Sequence, residues 1–195
     1  MKRMEGLLVV ECRVRGWRWS EDGVVSVGVR DGRVGLVWPG LVPAGVVGRG
    51  VDVVPLGGVG LGDGCRGGAG LVPDSADRGL VGEVVAQLEA YCAGRLWAFS
   101  LPLEVAGSAF DGAVREVLMG IGCGERRGYG WVAAVLGRPG AARAVGGACG
   151  RNLLGLVVPC HRVVGGDGSL GGYRWGVGLK GALLEFEGGM AGGGS

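Results

Sequence analysis

The hydrophobic period of this chain changes once, near residue 74, and that change limits the folds open to it. Before it, apolar residues repeat every second position. Val24 to Arg30 alternates, Asp31-Gly32 suits a type I′ turn, and Arg33 to Trp38 returns. Leu7 to Trp19 reads as a preceding strand, set off by Glu21-Asp22-Gly23, so a small antiparallel meander is expected. Pro39 to Pro73 follows neither period and reads as loop with at most a short strand.

From residue 74 the period is helical. Leu80, Val84, Leu88, Tyr91 and Cys92 share one face of a helix that Gly94 can end. Ser108-x-x-Asp111 resembles a capping box with Asp in place of Glu. It opens a run with Phe110, Val114, Val117, Leu118 and Ile121 on one stripe, stopped by Gly122 and Gly124. Tyr129 to Leu136 reads as a short helix that buries Trp131, Val132, Val135 and Leu136. After the turn Gly137-Arg138-Pro139-Gly140, Ala141 to Cys149 resumes helix with Ala141, Ala144, Val145 and Ala148 inward. Two short helices about a four-residue turn form a helix-turn-helix candidate. Val177 to Glu187 is a last helix, with Leu179, Leu183 and Phe186 in register, and Met190 to Ser195 reads as a disordered tail. The expected fold is α+β: an N-terminal α/β domain over 1–99, with a small antiparallel sheet and a helix, then a mainly helical domain over 100–189.

Composition excludes several classes. With 48% hydrophobic residues the 195-residue chain can fill a core in spite of 47 glycines, and without a G-X-Y period it is not collagen-like. No run reaches the ~18 apolar residues of a membrane span, and Met1 to Val10 is too short an apolar start for a secretory signal. A cytoplasmic protein is expected (nuclear in a eukaryote), without membrane contact. The six cysteines at 12, 65, 92, 123, 149 and 160 form no C-x-x-C pair, and His161 is the single histidine. Reduced thiols and no structural metal follow, and no cofactor is expected.

The net charge of +2 hides an uneven distribution. Between Arg126 and Gly166 stand arginines 126, 127, 138, 143, 151 and 162 and no acidic residue. A solvated face would explain this; the helix-turn-helix inside it favours phosphate contact. The second helix, Ala142-Arg143-Ala144-Val145-Gly146-Gly147, is nearly bare of side chains. Two interior glycines cost roughly 1 kcal/mol each against alanine, which close backbone approach would offset. Composition leaves two reasons open: a minor groove, with Arg143 protruding, or tight helix–helix packing.

Pro159-Cys160-His161-Arg162-Val163 is the sharpest feature. A cysteine becomes a nucleophile where a neighbour stabilises its thiolate, and the histidine is adjacent. The pentapeptide resembles the active-site signature of the O6-alkylguanine-DNA alkyltransferases, also called methylated-DNA–protein-cysteine methyltransferases. Gly124-Glu125, Tyr129, Ala133-Ala134, Gly137-Arg138-Pro139, Ala141 to Ala148 and Asn152 resemble that family's helix-turn-helix region in order and spacing. Gly168, Gly171, Tyr173, Lys180, Leu183-Leu184 and Glu187 continue the likeness, which covers about residues 100 to 188.

The resemblance implies direct reversal of DNA damage, by a single, irreversible transfer of the alkyl group from O6-alkylguanine in duplex DNA to Cys160. O4-alkylthymine is a further candidate substrate. Cys160 would be held ionised through a Glu187–His161–water–Cys160 network. Tyr129 would donate to guanine N3, and Arg143 would fill the gap left by the flipped nucleotide. Ala142, Gly146, Gly147 and Arg138 would meet DNA. Asn152 would be the hinge between recognition helix and active-site segment. The carbonyls of Cys160 and Val163 would receive the exocyclic amine, and Tyr173 with the Arg174 N–H would close over the base. Arg162 would fix the turn rather than react. A monomer is expected, with cooperativity along DNA open.

Three features depart from the family pattern. Leu153 replaces the proline after the hinge asparagine. Arg174-Trp175-Gly176 makes a bulkier pocket lip. The zinc site near the start of some members has no histidine to form it. Among other readings, a non-repairing lesion sensor would lack the cysteine, a cysteine hydrolase would need an oxyanion motif that is missing, and a transcription factor would need a helix richer in polar side chains.

Overall fold

The computed structural model describes residues 8–14, 16–19, 24–39, 52–54, 75–104 and 107–192. The expected turn at Glu21-Asp22-Gly23, most of the 39–73 segment and the tail over 193–195 lie outside them. The chain divides into two compact units, Met1–Val105 and Ala106–Ser195, and the described elements make an α+β protein.

The first unit is built on a four-stranded sheet in the order β3-β2-β1-β4. Strands β2 (Val24–Arg30) and β3 (Arg33–Pro39) form a hairpin. Asp31 (φ 50°) and Gly32 (φ 67°) both take positive φ, the requirement of the type I′ turn. Strand β1 (Leu8–Arg13) pairs antiparallel with β2. It stops well before Trp19 because Gly16 turns the chain at φ 81°. Trp17 and Trp19 then stack edge to face at 5.1 Å, and Trp19 lies 5.8 Å from Tyr91. The sheet is not a pure meander: β4 (Asp52–Val54) runs parallel to β1, with Val9 opposite Val53. Segment 102–104 covers the outer edge of β3, where the Val34 N–H donates to Pro102 O at 2.8 Å and the Glu104 N–H to Val34 O at 2.9 Å. Helix α1 (Ser75–Cys92) packs on β2 and β3 through buried Leu80, Val84, Leu88 and Tyr91.

In the second unit α2 (Ala109–Met119) starts on a complete capping box. The Asp111 N–H donates to Ser108 Oγ at 3.1 Å, and the Ser108 N–H donates to Asp111 Oδ2 at 3.0 Å. The helix ends at Gly120, earlier than the expected stop at Gly122. Its stripe is Val114, Leu118 and, just beyond, Ile121. Strand β5 (Arg127–Gly128) leads directly into α3 (Tyr129–Val135). Here the expected inward face holds only in part. Val132 and Ala133 are buried, whereas Trp131 and Val135 are 44% and 53% exposed. Position 132 recurs with 129, 133 and 136 at helical spacing; Trp131 lies on the next face, under the Arg127 guanidinium at 5.2 Å.

Helix α4 (Ala142–Arg151) buries Val145 and Ala148 as expected, adds Cys149, and leaves Ala144 exposed. After it, residues 154–164 are buried without interruption. They include the 3-10 turn Cys160–Arg162 and strand β6 (Val163–Val164), which pairs parallel with β5. Helix α5 (Val177–Gly192) continues three residues into the expected tail. Its buried stripe is Lys180, Leu183, Leu184 and Glu187, not the line through Leu179 and Phe186.

Asp111 also accepts from Arg151 at the end of α4, at 2.6 Å from Nη2 and 3.1 Å from Nε, so one carboxylate serves two helices. The Arg151 bond, together with those of Ser108, outweighs desolvation and holds its pKa down from 3.8 to about 2. The resulting stability is present above pH ~4 and is lost as pH falls toward 2. Asp111→Ala should cost about 1–2 kcal/mol at neutral pH. In urea denaturation the variant should also lose less stability than wild type between pH 4 and 2.

Candidate active site

Cys160 owes its position to two turns and an asparagine. Pro159 (φ −80°, ψ 57°) holds an inverse γ-turn, closed by the Cys160 N–H donating to Val158 O at 2.8 Å. Upstream, Leu156 sits in the left-handed region at φ 63°, uncommon for a branched side chain and here fully buried. Asn152, the residue that ends α4, spans the segment. Its Nδ2 donates to Val158 O at 3.0 Å and to Cys160 Sγ at 3.1 Å, and its Oδ1 accepts from the Leu154 N–H at 3.0 Å. The end of the helix and the sulfur are thus joined through a single side chain. Sγ faces a cavity of about 880 Å³, which Tyr129, Arg143, Gly146, Cys149, Tyr173 and Arg174 also line.

Behind the cysteine lies a buried charged cluster. His161 Nε2 is 2.9 Å from Glu187 Oε1. Arg162 donates to the same carboxylate from Nε at 2.9 Å and Nη2 at 2.8 Å, and from Nη1 to Ile121 O at 2.6 Å. The Gly124 N–H adds a longer bond of 3.3 Å to Glu187 Oε2. Burial alone would raise the Glu187 pKa; the bonds from His161 and Arg162 overcome that and hold the carboxyl well below its usual range. Burial dominates at His161 and lowers its pKa, so the imidazole is neutral. An anionic Glu187 accepting at Nε2 requires the proton there, which leaves a lone pair on Nδ1. Nδ1 is buried and has no hydrogen-bond partner among the described residues.

Burial also raises the Cys160 thiol, to about 11, against the lowering effects of the Asn152 bond and Lys180. At neutral pH the resting sulfur is therefore protonated. The expectation of a standing thiolate is corrected: the cluster supplies a neutral base beside a thiol, not a cation that ionises it.

Lys180 is the residue that sequence reasoning left out of the site. Its buried Nζ donates to Val163 O at 2.6 Å and to Leu170 O, and lies 5.7 Å from the Tyr129 ring centroid. The spacing from Lys180 to Glu187 repeats that of a helical stripe, but a search for apolar residues passes over both. The Val163 carbonyl already accepts from Lys180 and the Cys160 carbonyl from the Val163 N–H, so each retains one lone pair for a further donor. Tyr129 sits between two glycines. A Cβ at Gly171 would stand 3.4 Å from its hydroxyl, and one at Gly146 would stand 3.9 Å from its ring.

The remaining expected residues divide into two groups. Ala142, Arg143, Gly146, Tyr173 and Arg174 line the cavity with Cys160 and Tyr129. Gly147 and Arg138 do not: Gly147 lies beside the Arg151 guanidinium, and the exposed Arg138 rests over the Phe110 ring at 5.6 Å. Tyr173 meets Trp175 edge-on at 5.0 Å and His161 at 6.5 Å.

Comparison with known proteins agrees with this geometry. The family model for the DNA-binding domain of 6-O-methylguanine DNA methyltransferase matches residues 109–189. A methylated-DNA–protein-cysteine methyltransferase of Mycobacterium leprae is 47% identical over 111 residues, 57% of this chain and 67% of that protein. One from Methanosarcina acetivorans is 44% identical over 119 residues, 60% of this chain and 76% of its own length. Among solved structures, Mycobacterium tuberculosis OGT in complex with DNA superposes with a TM-score of 0.70 at 29% identity, covering 94% of both chains. The M. tuberculosis O6-methylguanine methyltransferase gives 0.68 at 30% identity, again over 94% of each. From its buried cysteine site and these matches together, the chain belongs to the methylated-DNA–protein-cysteine methyltransferase family.

Proposed function

We propose that Cys160 is the alkyl acceptor in this chain, a methylated-DNA–protein-cysteine S-methyltransferase that repairs O6-alkylguanine in duplex DNA by direct reversal. The observation that carries the assignment is the sulfur at a large cavity, held by Asn152 in front of a neutral His161 fixed by Glu187. The thiol proton passes through a bridging water to His161 Nδ1, and Glu187 stabilises the imidazolium that forms. Sγ attacks the alkyl carbon in line; the S–C bond forms as the C–O6 bond breaks, and the electron pair leaves on the guanine. Tyr129 donates to N3 as charge develops there. The S–C bond of a thioether resists hydrolysis, so each molecule acts once. A lesion sensor needs neither the nucleophile nor the base behind it.

DNA approaches over α3 and α4, which act as a helix-turn-helix. The small residues Ala142 and Gly146 let the α4 backbone come close to a minor groove, where shape counts more than base code. Arg143, exposed at the cavity mouth, fills the stack when the damaged nucleotide turns out. One chain carries every group the reaction uses, so it acts as a monomer, in the compartment that holds the DNA.

Intact mass after incubation with an O6-methylguanine duplex should rise by one methyl group, mapped to the peptide carrying Cys160, and Cys160→Ser should show no rise while still binding DNA. With the thiol near 11, iodoacetamide labelling of Cys160 in DNA-free protein should climb by roughly tenfold per pH unit from 7 to about 10; a rate already level at pH 7 would mean a standing thiolate. Arg143→Ala should slow repair of duplex substrate by on the order of tenfold or more and leave reaction with free O6-benzylguanine nearly unchanged; equal losses on both would remove the stack-filling role.

A further inference from the structure

The cavity over Cys160 has two walls. One is α4, with Ala142, Gly146 and Gly150; the other is the loop carrying Gly172, Tyr173 and Arg174. Gly171 (φ 63°) and Gly176 (φ 95°) bracket that loop in the left-handed region, so its ends turn sharply. Within it the Gly176 N–H donates to Tyr173 O at 3.1 Å. The Arg174 side chain reaches across to the opposite wall, where Nε, at 2.8 Å, and Nη2 both donate to Gly150 O. That carbonyl lies in the last turn of α4, where helix carbonyls lack intrahelical partners and the dipole presents negative charge.

We propose that Arg174 is a positioning residue, a strap that ties the pocket loop to the end of α4 and sets the distance between the two walls before a base enters. Through the strap the loop holds Tyr173 edge-on to His161 and Trp175. The helix that meets DNA and the loop that closes over the base then move as one piece. The inference rests on the alkyl-transfer reading above.

Single-turnover transfer from an O6-methylguanine duplex, measured at saturating protein, separates positioning from binding. Arg174→Ala should lower the saturated rate by on the order of tenfold to a hundredfold, with DNA affinity and its salt dependence unchanged. Arg174→Lys should fall with it, because an ammonium does not place two converging N–H groups on one oxygen. The side chain is exposed, so both variants should melt with wild type, and if one does not, the other carries the test. A saturated rate within about twofold of wild type in either folded variant overturns the strap. So does a loss confined to affinity with the salt slope reduced by about one, which marks a phosphate contact. Wild-type protein that gains no methyl group on Cys160 removes the alkyl-transfer reading and the strap with it.

Discussion

The carboxylate of Glu187 is the fixed point of the second unit. It joins α5 to the turn that carries Cys160, through Arg162 twice and His161 once, and Arg162 extends the tie to the carbonyl after α2. Buried ion pairs seldom add net stability against an apolar alternative, but removing one partner leaves a buried charge and costs about 3–5 kcal/mol. The arrangement therefore specifies more than it stabilises. The residues next to the nucleophile in sequence are committed to this cluster, so the sulfur lies where the cluster puts it.

The same burial sets the resting state of the site. A thiol pushed up to about 11 is a poor nucleophile toward small electrophiles in solution. A neutral imidazole with its lone pair at Nδ1 is ready to take a proton once a substrate is in place. For a protein that is consumed by one reaction this order matters, because a standing thiolate would be open to every stray oxidant or alkylating agent. On the proposed mechanism reactivity is withheld until the cavity is filled, and His161 with Glu187 then takes the proton.

Features set by local chemistry were legible in the sequence. Asp31-Gly32 dictates the I′ turn, Ser108 and Asp111 find each other three residues apart, and the face of α1 follows from Leu80, Val84 and Leu88. What escaped was set by distant partners. The parallel pairing of β4 with β1 depends on a non-local contact that no pattern within either strand encodes. On α3 the small residue Ala133 takes a core position where Trp131 and Val135 were sought, whereas on α4 Val145 and Ala148 were placed correctly and Cys149, not Ala144, joins them. On α5 the search for an apolar stripe passed over the buried positions Lys180 and Glu187. The identity of Cys160, His161 and Glu187 as a group came from family likeness, and Arg162, given a turn-fixing part, proves to be the main counter-charge.

Helix α5 also works as a ruler. Lys180 and Glu187 are seven residues apart, about 10 Å along the axis at 1.5 Å per residue. The amine lies under Tyr129 at one end, and the carboxylate backs His161 at the other. Tyr129 and His161, the groups given the proton transfers in the proposed mechanism, are thereby each in contact with the same helix. A tilt or slide of that rod would displace the amine and the carboxylate together, and so shift the supports of Tyr129 and His161 in concert.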